Sequence, residues 1–280
     1  LVAVALDITG SMKGSKITDL EAATKDLIDI IVKDVQEPSY SKVALVPYSM
    51  GVNVGGYAAA VRGAIPSGNA ITGASWEVAG SSRNVSSISK ANPAVVKTSS
   101  AHGYATGDTI HLSGISGMSQ VNNRSFTITK IDSDEFSLGV NSTWYNTYKS
   151  SSGDRSYKCQ TSDCEVVVTS AGHGFDNGDY VHIDNVGGMW QINGKTHEIK
   201  GVTSNSYVLK DVVGPDTSSY SSGGSAWCTE LGCEYYRFAN AWWGYSTHRV
   251  STCVSDREIN PFNDEGPDVT LLGLNYPGSG

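Results

Sequence analysis

The chain has 280 residues, of which 39% are hydrophobic and 17% charged, and its formal net charge at pH 7 is −8. This apolar content supports a folded core and argues against disorder throughout, while the acidic balance argues against a nucleic-acid partner, which selects for basic surfaces. No apolar run approaches the roughly 20 residues of a membrane-spanning helix. Because the chain starts at Leu1 rather than Met, we expect a fragment or processed form, with any signal or membrane anchor outside it.

The first 60 residues have the pattern of an α/β fold. Residues 1–6 form a continuous apolar run, which is typical of a strand buried on both faces. After a loop that contains Gly and Ser, apolar residues recur at helical spacing from Ile17 to Ile30. A second apolar run at 42–48 predicts another strand. The order strand, helix, strand predicts a right-handed βαβ unit within a parallel sheet.

Three oxygen-bearing side chains follow the first predicted strand at alternating positions, namely Asp7, Thr9 and Ser11. Ligand sites in parallel α/β sheets form beyond the carboxyl ends of the strands, and Mg2+ and Ca2+ prefer oxygen ligands. We therefore predict a divalent-cation site at these residues. The alternative is that Asp7 and Thr9 cap the helix that follows.

Beyond about residue 65 the helical periodicity disappears and Ser and Gly become frequent, which predicts short strands and turns. A 71-residue internal repeat lies here, because the pairs His102/His173 and His111/His182 share one offset without insertion. Two copies are too few for a solenoid, so we expect each copy to form a separate small β barrel or sandwich. The four histidines could bind a metal, but turn or cross-strand hydrogen bonds are the favoured interpretation.

Five cysteines fall into two groups, with Cys159 and Cys164 in the first and Cys228, Cys233 and Cys253 in the second. Their spacing differs from that of a zinc ribbon. Close pairs beside turn residues predict short disulfide loops formed in an oxidising compartment, with free thiols as the alternative. The odd number leaves one cysteine as a free thiol or bonded outside this chain, and the pairing stays open.

Aromatic residues concentrate between 227 and 245, where they include Trp242 and Trp243. Together with the second cysteine group they predict a small local core. Stacking of these rings on sugars is the less favoured alternative.

Residues 1–12 resemble the first strand and the metal-ion-dependent adhesion site of a von Willebrand factor type A domain. This resemblance implies a Rossmann-like α/β fold in which the three oxygen-bearing side chains ligate the cation. It also calls for ligands from later loops, for which Asp256 and Asp264 are candidates. Four other segments resemble TadG-like proteins of bacterial Flp (tight adherence) pilus systems: 42–49, 52–63, 232–238 and 251–258.

The two repeats resemble the small β barrel of the FCCH type, which is named from ubiquitin-activating enzymes. Nothing in the chain suggests ubiquitin chemistry, which would need an adenylation domain. We therefore expect an α/β domain interrupted by two small all-β barrels, with a chain that is β-rich overall. The expected divisions are an A-like segment at 1–65, a linker at 66–91, barrels at 92–153 and 154–224, and the continuation of the A-like domain at 225–280.

These features predict a non-enzymatic protein of the periplasm, the cell surface or the extracellular space of a bacterium. We expect it to act in adhesion or pilus assembly by binding a protein ligand or a pilus component through Mg2+ or Ca2+. Self-assembly with other copies of the chain is a further expected interaction. The alternatives are a structural fibre or pilus-tip subunit without metal-dependent binding, and a carbohydrate-binding surface module.

Overall fold

The computed structural model describes residues 2–35, 37, 40–49, 51–240, 244–255 and 273–274. The chain divides into two compact units. The first unit contains residues 1–66 and 230–280, and the second contains residues 67–229. The second unit is therefore inserted into the chain of the first.

The elements follow one another with many short strands and few helices. Residues 2–62 form β1 (Val2–Asp7), α1 (Ser15–Ile31), β2 (Val43–Tyr48), β3 (Val52–Asn53) and α2 (Ala58–Arg62). The strands of the second unit are β4 (Asn69–Ala70), β5 (Gly73–Ser75), β6 (Arg83–Ile88), β7 (Val95–Thr98), β8 (Thr109–Ser113), β9 (Arg124–Thr127), β10 (Thr129–Lys130), β11 (Glu135–Ser137), β12 (Arg155–Lys158), β13 (Glu165–Thr169), β14 (Tyr180–Asp184), β15 (Lys195–Lys200), β16 (Ser206–Val213) and β17 (Ser225–Cys228). The first unit resumes with β18 (Tyr235–Ala239), β19 (Tyr245–Arg249), β20 (Cys253–Ser255) and β21 (Gly273–Leu274).

In the first unit, β1 and β2 are parallel and are connected through α1, so the predicted βαβ unit is present. The register places Asp7 opposite Tyr48 at the carboxyl ends of the two strands. The two halves of the unit are joined by an antiparallel ladder between β3 and β20, in which Asn53 lies opposite Cys253. Among the described residues, no helix has the length and the apolar character needed to cross a membrane.

The predicted Rossmann-like α/β fold is wrong. Across the described ranges, parallel pairing is confined to β1 and β2, and two α-helices accompany twenty-one strands. A doubly wound sheet needs further parallel strands with helices on both faces, whereas the next strand, β3, pairs antiparallel. The apolar run of β1 is also not buried on both faces, since Val2 is 39% exposed and Leu45 on β2 is 45% exposed. The molecule is a β-rich protein with curled, barrel-like sheets.

Residues 83–158 form a closed barrel, which we call barrel 1. Its antiparallel ladders run in the order β6, β7, β11, β10 on one side and β6, β12, β8, β9 on the other. Because β9 and β10 are consecutive parts of one chain segment interrupted at Ile128, the two ends of this order meet and the sheet closes. Closure leaves no long unpaired edge.

A second closed barrel, which we call barrel 2, is built from residues 69–75 and 165–228. Its ladders run from β5 through β13, β16, β15 and β14 to β17 and then to β4. Here β4 and β5 form the consecutive segment that closes the ring. Because this segment precedes barrel 1 in the chain, barrel 1 is inserted between β5 and β13 of barrel 2. Residues 66–91, expected as a linker, thus supply β4, β5 and β6.

The two cores preserve the 71-residue offset predicted from the sequence. Four core side chains of barrel 1 are at most 1% exposed, and so are their counterparts in barrel 2. The equivalent pairs are Ile110/Val181, Leu112/Ile183, Met118/Met189 and Phe136/Tyr207. Each barrel therefore has its own apolar core.

Candidate functional site

The three predicted cation ligands lie together where β1 ends. The backbone N–H of Thr9 donates a hydrogen bond to Asp7 Oδ1 at 2.8 Å, which turns the chain back towards the carboxylate. The hydroxyl oxygens of Thr9 and Ser11 are 2.9 Å apart. Ser11 lies in a short 3-10 helix, Gly10–Met12, that directly precedes α1. The structure thus brings Asp7, Thr9 and Ser11 to one place.

The electrostatics of this cluster keep the carboxylate ionised. The backbone N–H of Thr9, and after it the Thr9 side chain, hold the pKa of Asp7 below its ordinary value, with burial acting in the opposite direction. The ammonium of Lys16 donates to the backbone oxygen of Ser11 at 3.2 Å. The cluster is therefore a charged carboxylate with two neighbouring hydroxyls, at a partly exposed loop.

This donor set fits part of the coordination shell of a small, hard cation. Neighbouring ligands of an octahedral Mg2+ ion lie about 3.0 Å apart when each is about 2.1 Å from the metal. The hydroxyls of Thr9 and Ser11, which are hydrogen-bonded to each other, are 2.9 Å apart. The Asp7 carboxylate, which accepts the Thr9 N–H at Oδ1, would supply the charged ligand of such a cation. Within the described ranges, no three His, Cys, Asp or Glu side chains form a metal cluster. The expected additional ligands Asp256 and Asp264 lie outside the described residues.

Four of the five cysteines are oxidised. Cys159 and Cys164 form a disulfide with Cα atoms 4.9 Å apart, and it closes the connection between β12 and β13. Cys228 and Cys233 are disulfide-bonded as well, and Cys253 is a free thiol. The prediction of disulfides at close cysteine pairs is confirmed.

The repeated histidines make internal hydrogen bonds. In each barrel, Nδ1 of the first histidine accepts the backbone N–H two residues later, at 2.8 Å for His102 and 3.0 Å for His173. The second histidine bonds across a strand pair, from His111 to Ser125 at 3.0 Å. In barrel 2, His182 and Thr196 occupy the equivalent positions at 3.3 Å.

A polar cavity of about 230 Å³ lies where barrel 1 meets the C-terminal end of β16. Burial lowers the pKa of His111 in its wall, with the Asp216 charge acting in the opposite direction. The ring of Trp76 packs edge-on against this imidazole at 5.5 Å. Sequence analysis missed this cavity because its residues come from both barrels: His111, Ser113, Asn123, Ser125, Val213, Pro215 and Asp216.

The aromatic segment near the second cysteine group forms the antiparallel hairpin of β18 and β19. Its rings stack on neighbours, with Phe238 5.2 Å from His248. The guanidinium of Arg237 lies 3.5 Å from the centre of the Tyr245 ring. Trp242 and Trp243, which were included in the predicted aromatic cluster, lie outside the described residues.

Two other tryptophans were not singled out in the sequence, yet they are the most exposed large apolar side chains of the barrels. Trp144 is 92% exposed and Trp190 is 67% exposed. Both lie in segments rich in Ser, Asn and Gly, where a single apolar residue leaves no periodic pattern.

Comparison with known families recognises the barrels. Residues 91–153 and 163–229 each match the family model described as the ubiquitin-activating enzyme E1 FCCH domain. The predicted FCCH resemblance of the two repeats is therefore confirmed, since the chain matches this small β-rich domain twice. The second match omits β4 and β5, since these strands precede barrel 1. No curated protein matches the chain.

Proposed function

We propose that this chain is an extracytoplasmic, non-enzymatic adhesion protein that binds its partner through a divalent cation held by Asp7, Thr9 and Ser11. The observation that carries this proposal is the convergence of these side chains, with two hydroxyl oxygens 2.9 Å apart beside an ionised carboxylate. Mg2+ or Ca2+ bound there would supply a positive charge with exchangeable positions that an acidic group of the partner could occupy.

The chain's own residues would prepare this site. The Thr9 N–H fixes the orientation of the Asp7 carboxylate, so part of the ordering cost of binding is met before the cation arrives. The pairing of β1 with β2 holds the loop at the end of a short sheet, where Ile8 N–H donates to the backbone oxygen of Tyr48 at 2.9 Å. The hydroxyls of Thr9 and Ser11, which are hydrogen-bonded to each other, would supply two further oxygen ligands.

The location outside the cytoplasm is supported by the disulfides, since such bonds persist in oxidising compartments. The TadG-like segments point to a Flp-type pilus system as the setting, with a protein ligand, a pilus component or a second copy of the chain as the partner. In this proposal the inserted barrels act as spacers or as additional contact surfaces.

Isothermal titration of the full chain with MgCl2 and CaCl2 tests the cation site. We expect binding heat for the wild type and its loss in Asp7→Asn, because that change removes the carboxylate charge and keeps the side-chain shape. Asp29→Asn on α1 is the matched control, since it makes the same charge change at an exposed helical position and should leave the heat unchanged. Equal heats in Asp7→Asn and the wild type would overturn the proposal.

A further inference from the structure

Each barrel presents one tryptophan to solvent at the same end. Trp144 belongs to the loop between β11 and β12 of barrel 1, and Trp190 starts the 3-10 helix Trp190–Ile192 of barrel 2. Their side chains are 92% and 67% exposed. Leaving an indole in water forgoes a large free energy of burial, so one such case in each barrel calls for an explanation.

The backbone under Trp144 is fixed. The N–H of Tyr145 donates to the backbone oxygen of Ser142 at 2.9 Å, which closes a turn with Trp144 inside it. Ser142 is fully buried, and its hydroxyl donates to the backbone oxygen of Ser89 at 2.7 Å. The ring is therefore carried by an anchored turn rather than by a loose loop.

The backbone under Trp190 is fixed as well. Its two neighbours in the core, Met189 and Ile192, are 1% and 0% exposed. The N–H of Asn193 donates to the backbone oxygen of Trp190 at 3.1 Å. The indole of Trp190 therefore also projects from an anchored segment.

The surroundings of the two rings are built in the same way. In barrel 1, Gln120 Oε1 accepts the backbone N–H of Asn146, two residues after Trp144, at 3.3 Å. In barrel 2, the equivalent Gln191 Oε1 accepts the backbone N–H of Ser218 at 3.1 Å. These glutamines differ by the repeat offset of 71. They tie the last loop of each barrel to a 3-10 helix, which is Ser119–Val121 in barrel 1 and Trp190–Ile192 in barrel 2.

The tryptophans themselves do not share that offset. The counterpart of Trp190 in barrel 1 is Ser119, so the two rings come from different positions of the repeat. Duplication alone therefore does not account for an exposed indole at the same end of both barrels.

The segments that carry the two rings are rich in polar side chains. A cationic side chain donates to the backbone oxygen of the glutamine in both barrels, Arg124 at 3.3 Å and Lys195 at 2.6 Å. Within the part of the chain that the structure describes, the side-chain amide of Asn146 and the indole N–H of Trp144 make no hydrogen bond, so they are available to a ligand. An exposed apolar ring on a segment that also carries amide, hydroxyl and cationic side chains matches a pyranose ring, which has C–H faces and hydroxyl edges.

We propose that Trp144 and Trp190 are the platforms of two carbohydrate-binding sites, one on each barrel, which bind pyranose rings of a glycan polymer. Each site would stack one sugar on the indole and hydrogen-bond its hydroxyls from the neighbouring loop. Two sites on one inserted unit suit a repeating polymer, because engagement of the second site becomes intramolecular after the first. The proposal does not depend on the cation site at Asp7.

Affinity electrophoresis and isothermal titration of the full chain test this, with cellohexaose, chitohexaose, laminarihexaose and mannohexaose and the corresponding soluble polysaccharides as probes. We expect at least one of these glycans to bind. Trp144→Ala and Trp190→Ala should each weaken polymer binding about tenfold, and the double variant should abolish it. Both residues are exposed, so all three variants should keep the thermal unfolding midpoint of the wild type.

Ile131→Ala is the matched control, since Ile131 is another exposed apolar residue of barrel 1, at 52%, and its loss should leave glycan binding unchanged. Asp7→Asn should also bind glycan as the wild type does, which separates this proposal from the cation site. Absence of binding to every probe, or binding that survives the double tryptophan variant, would overturn the proposal.

Discussion

Val168 lies opposite Ala74 in an antiparallel ladder, although all of barrel 1 separates them in the chain. This ladder completes barrel 2, because β5 occupies the place that β6 occupies in barrel 1. The chain enters and leaves barrel 1 at adjacent positions, because Glu77 and Cys159 form an isolated antiparallel bridge at the base of this barrel. Barrel 1 therefore leaves and re-enters barrel 2 at neighbouring points.

This topology predicts which fragments fold. Residues 159–229 alone lack β4 and β5 and should not show a cooperative thermal transition, because β13 and β17 would then have unpaired edges. Residues 67–76 joined to 159–229 through a short Gly-Ser linker should unfold cooperatively. Near-ultraviolet circular dichroism with heating distinguishes the two, and cooperative unfolding of 159–229 by itself would contradict the inserted arrangement.

Each barrel core contains one buried tyrosine, Tyr104 in barrel 1 and Tyr207 in barrel 2, at different positions of the repeat. We expect replacement of each tyrosine by phenylalanine to change the free energy of unfolding differently in the two barrels. Tyr104 donates to the backbone oxygen of Ser81 at 2.9 Å and also contacts Ser156. Tyr207, in barrel 2, is fully buried, and its hydroxyl has no partner among the described residues. Tyr104→Phe should therefore lower the free energy of unfolding by about 1–2 kcal/mol, while Tyr207→Phe should leave it unchanged or raise it by about 1 kcal/mol.

Denaturant unfolding of the two variants beside the wild type measures the difference. Each substitution removes one oxygen from a buried ring, so each is the control for the other. Equal destabilisation by both changes would show that the Tyr207 hydroxyl has a favourable interaction in the folded protein.

The sequence could predict what is local or repeated. The 71-residue offset survives in the cores, as at Ile110 and Val181, and alternating oxygens after a strand predicted the convergence of Asp7 and Thr9. The apolar run at 1–6 predicted a strand buried on both faces, because such runs are typical of sheets covered on both sides. This prediction was wrong, since Val2 is exposed.

The long-range strand pairings of barrel 2 could not be predicted from local sequence patterns. Pairing of β4 with β17 joins segments about 155 residues apart, and neither Asn69 nor Ala70 has strong β propensity. The structure shows why residue 68 is glycine, since a Cβ there would lie 2.5 Å from the ring of Trp227. Long-range contacts of this kind cannot be read from periodicity.

The disulfide between Cys159 and Cys164 should stabilise the connection between the barrels. The loop is short, so its removal should cost about 2 kcal/mol. The backbone oxygen of Cys164 also accepts the N–H of Gly214 at 2.8 Å, which ties the loop to the end of β16. The double variant Cys159→Ser/Cys164→Ser should therefore melt at a lower temperature, by differential scanning calorimetry. Cys253→Ser, which removes a free thiol, is the matched control, and an equal shift in both would contradict a stabilising role.

Buried imidazoles should make the protein less stable in acid. Burial lowers the pKa of His197, against the opposing effect of its hydrogen bond to the Ile192 carbonyl at 3.2 Å, and burial also lowers the pKa of His111 and His182. Below the unfolded-state pKa of about 6.5 the unfolded chain binds more protons than the folded chain, so the free energy of unfolding falls as the pH decreases. The stabilisation is complete above that pKa and is lost towards the lower folded-state values.

Urea unfolding at pH 8, 7, 6 and 5 should accordingly show a decreasing midpoint, and His197→Gln should reduce the decrease. Glutamine keeps a donor for the Ile192 carbonyl but does not titrate, so the comparison at pH 8 measures the packing change alone. The difference between the pH 8 and pH 5 midpoints then isolates protonation of His197. A wild type whose midpoint is the same at pH 8 and pH 5, or a variant with the full wild-type decrease, would show that this imidazole is not held neutral by the barrel 2 core.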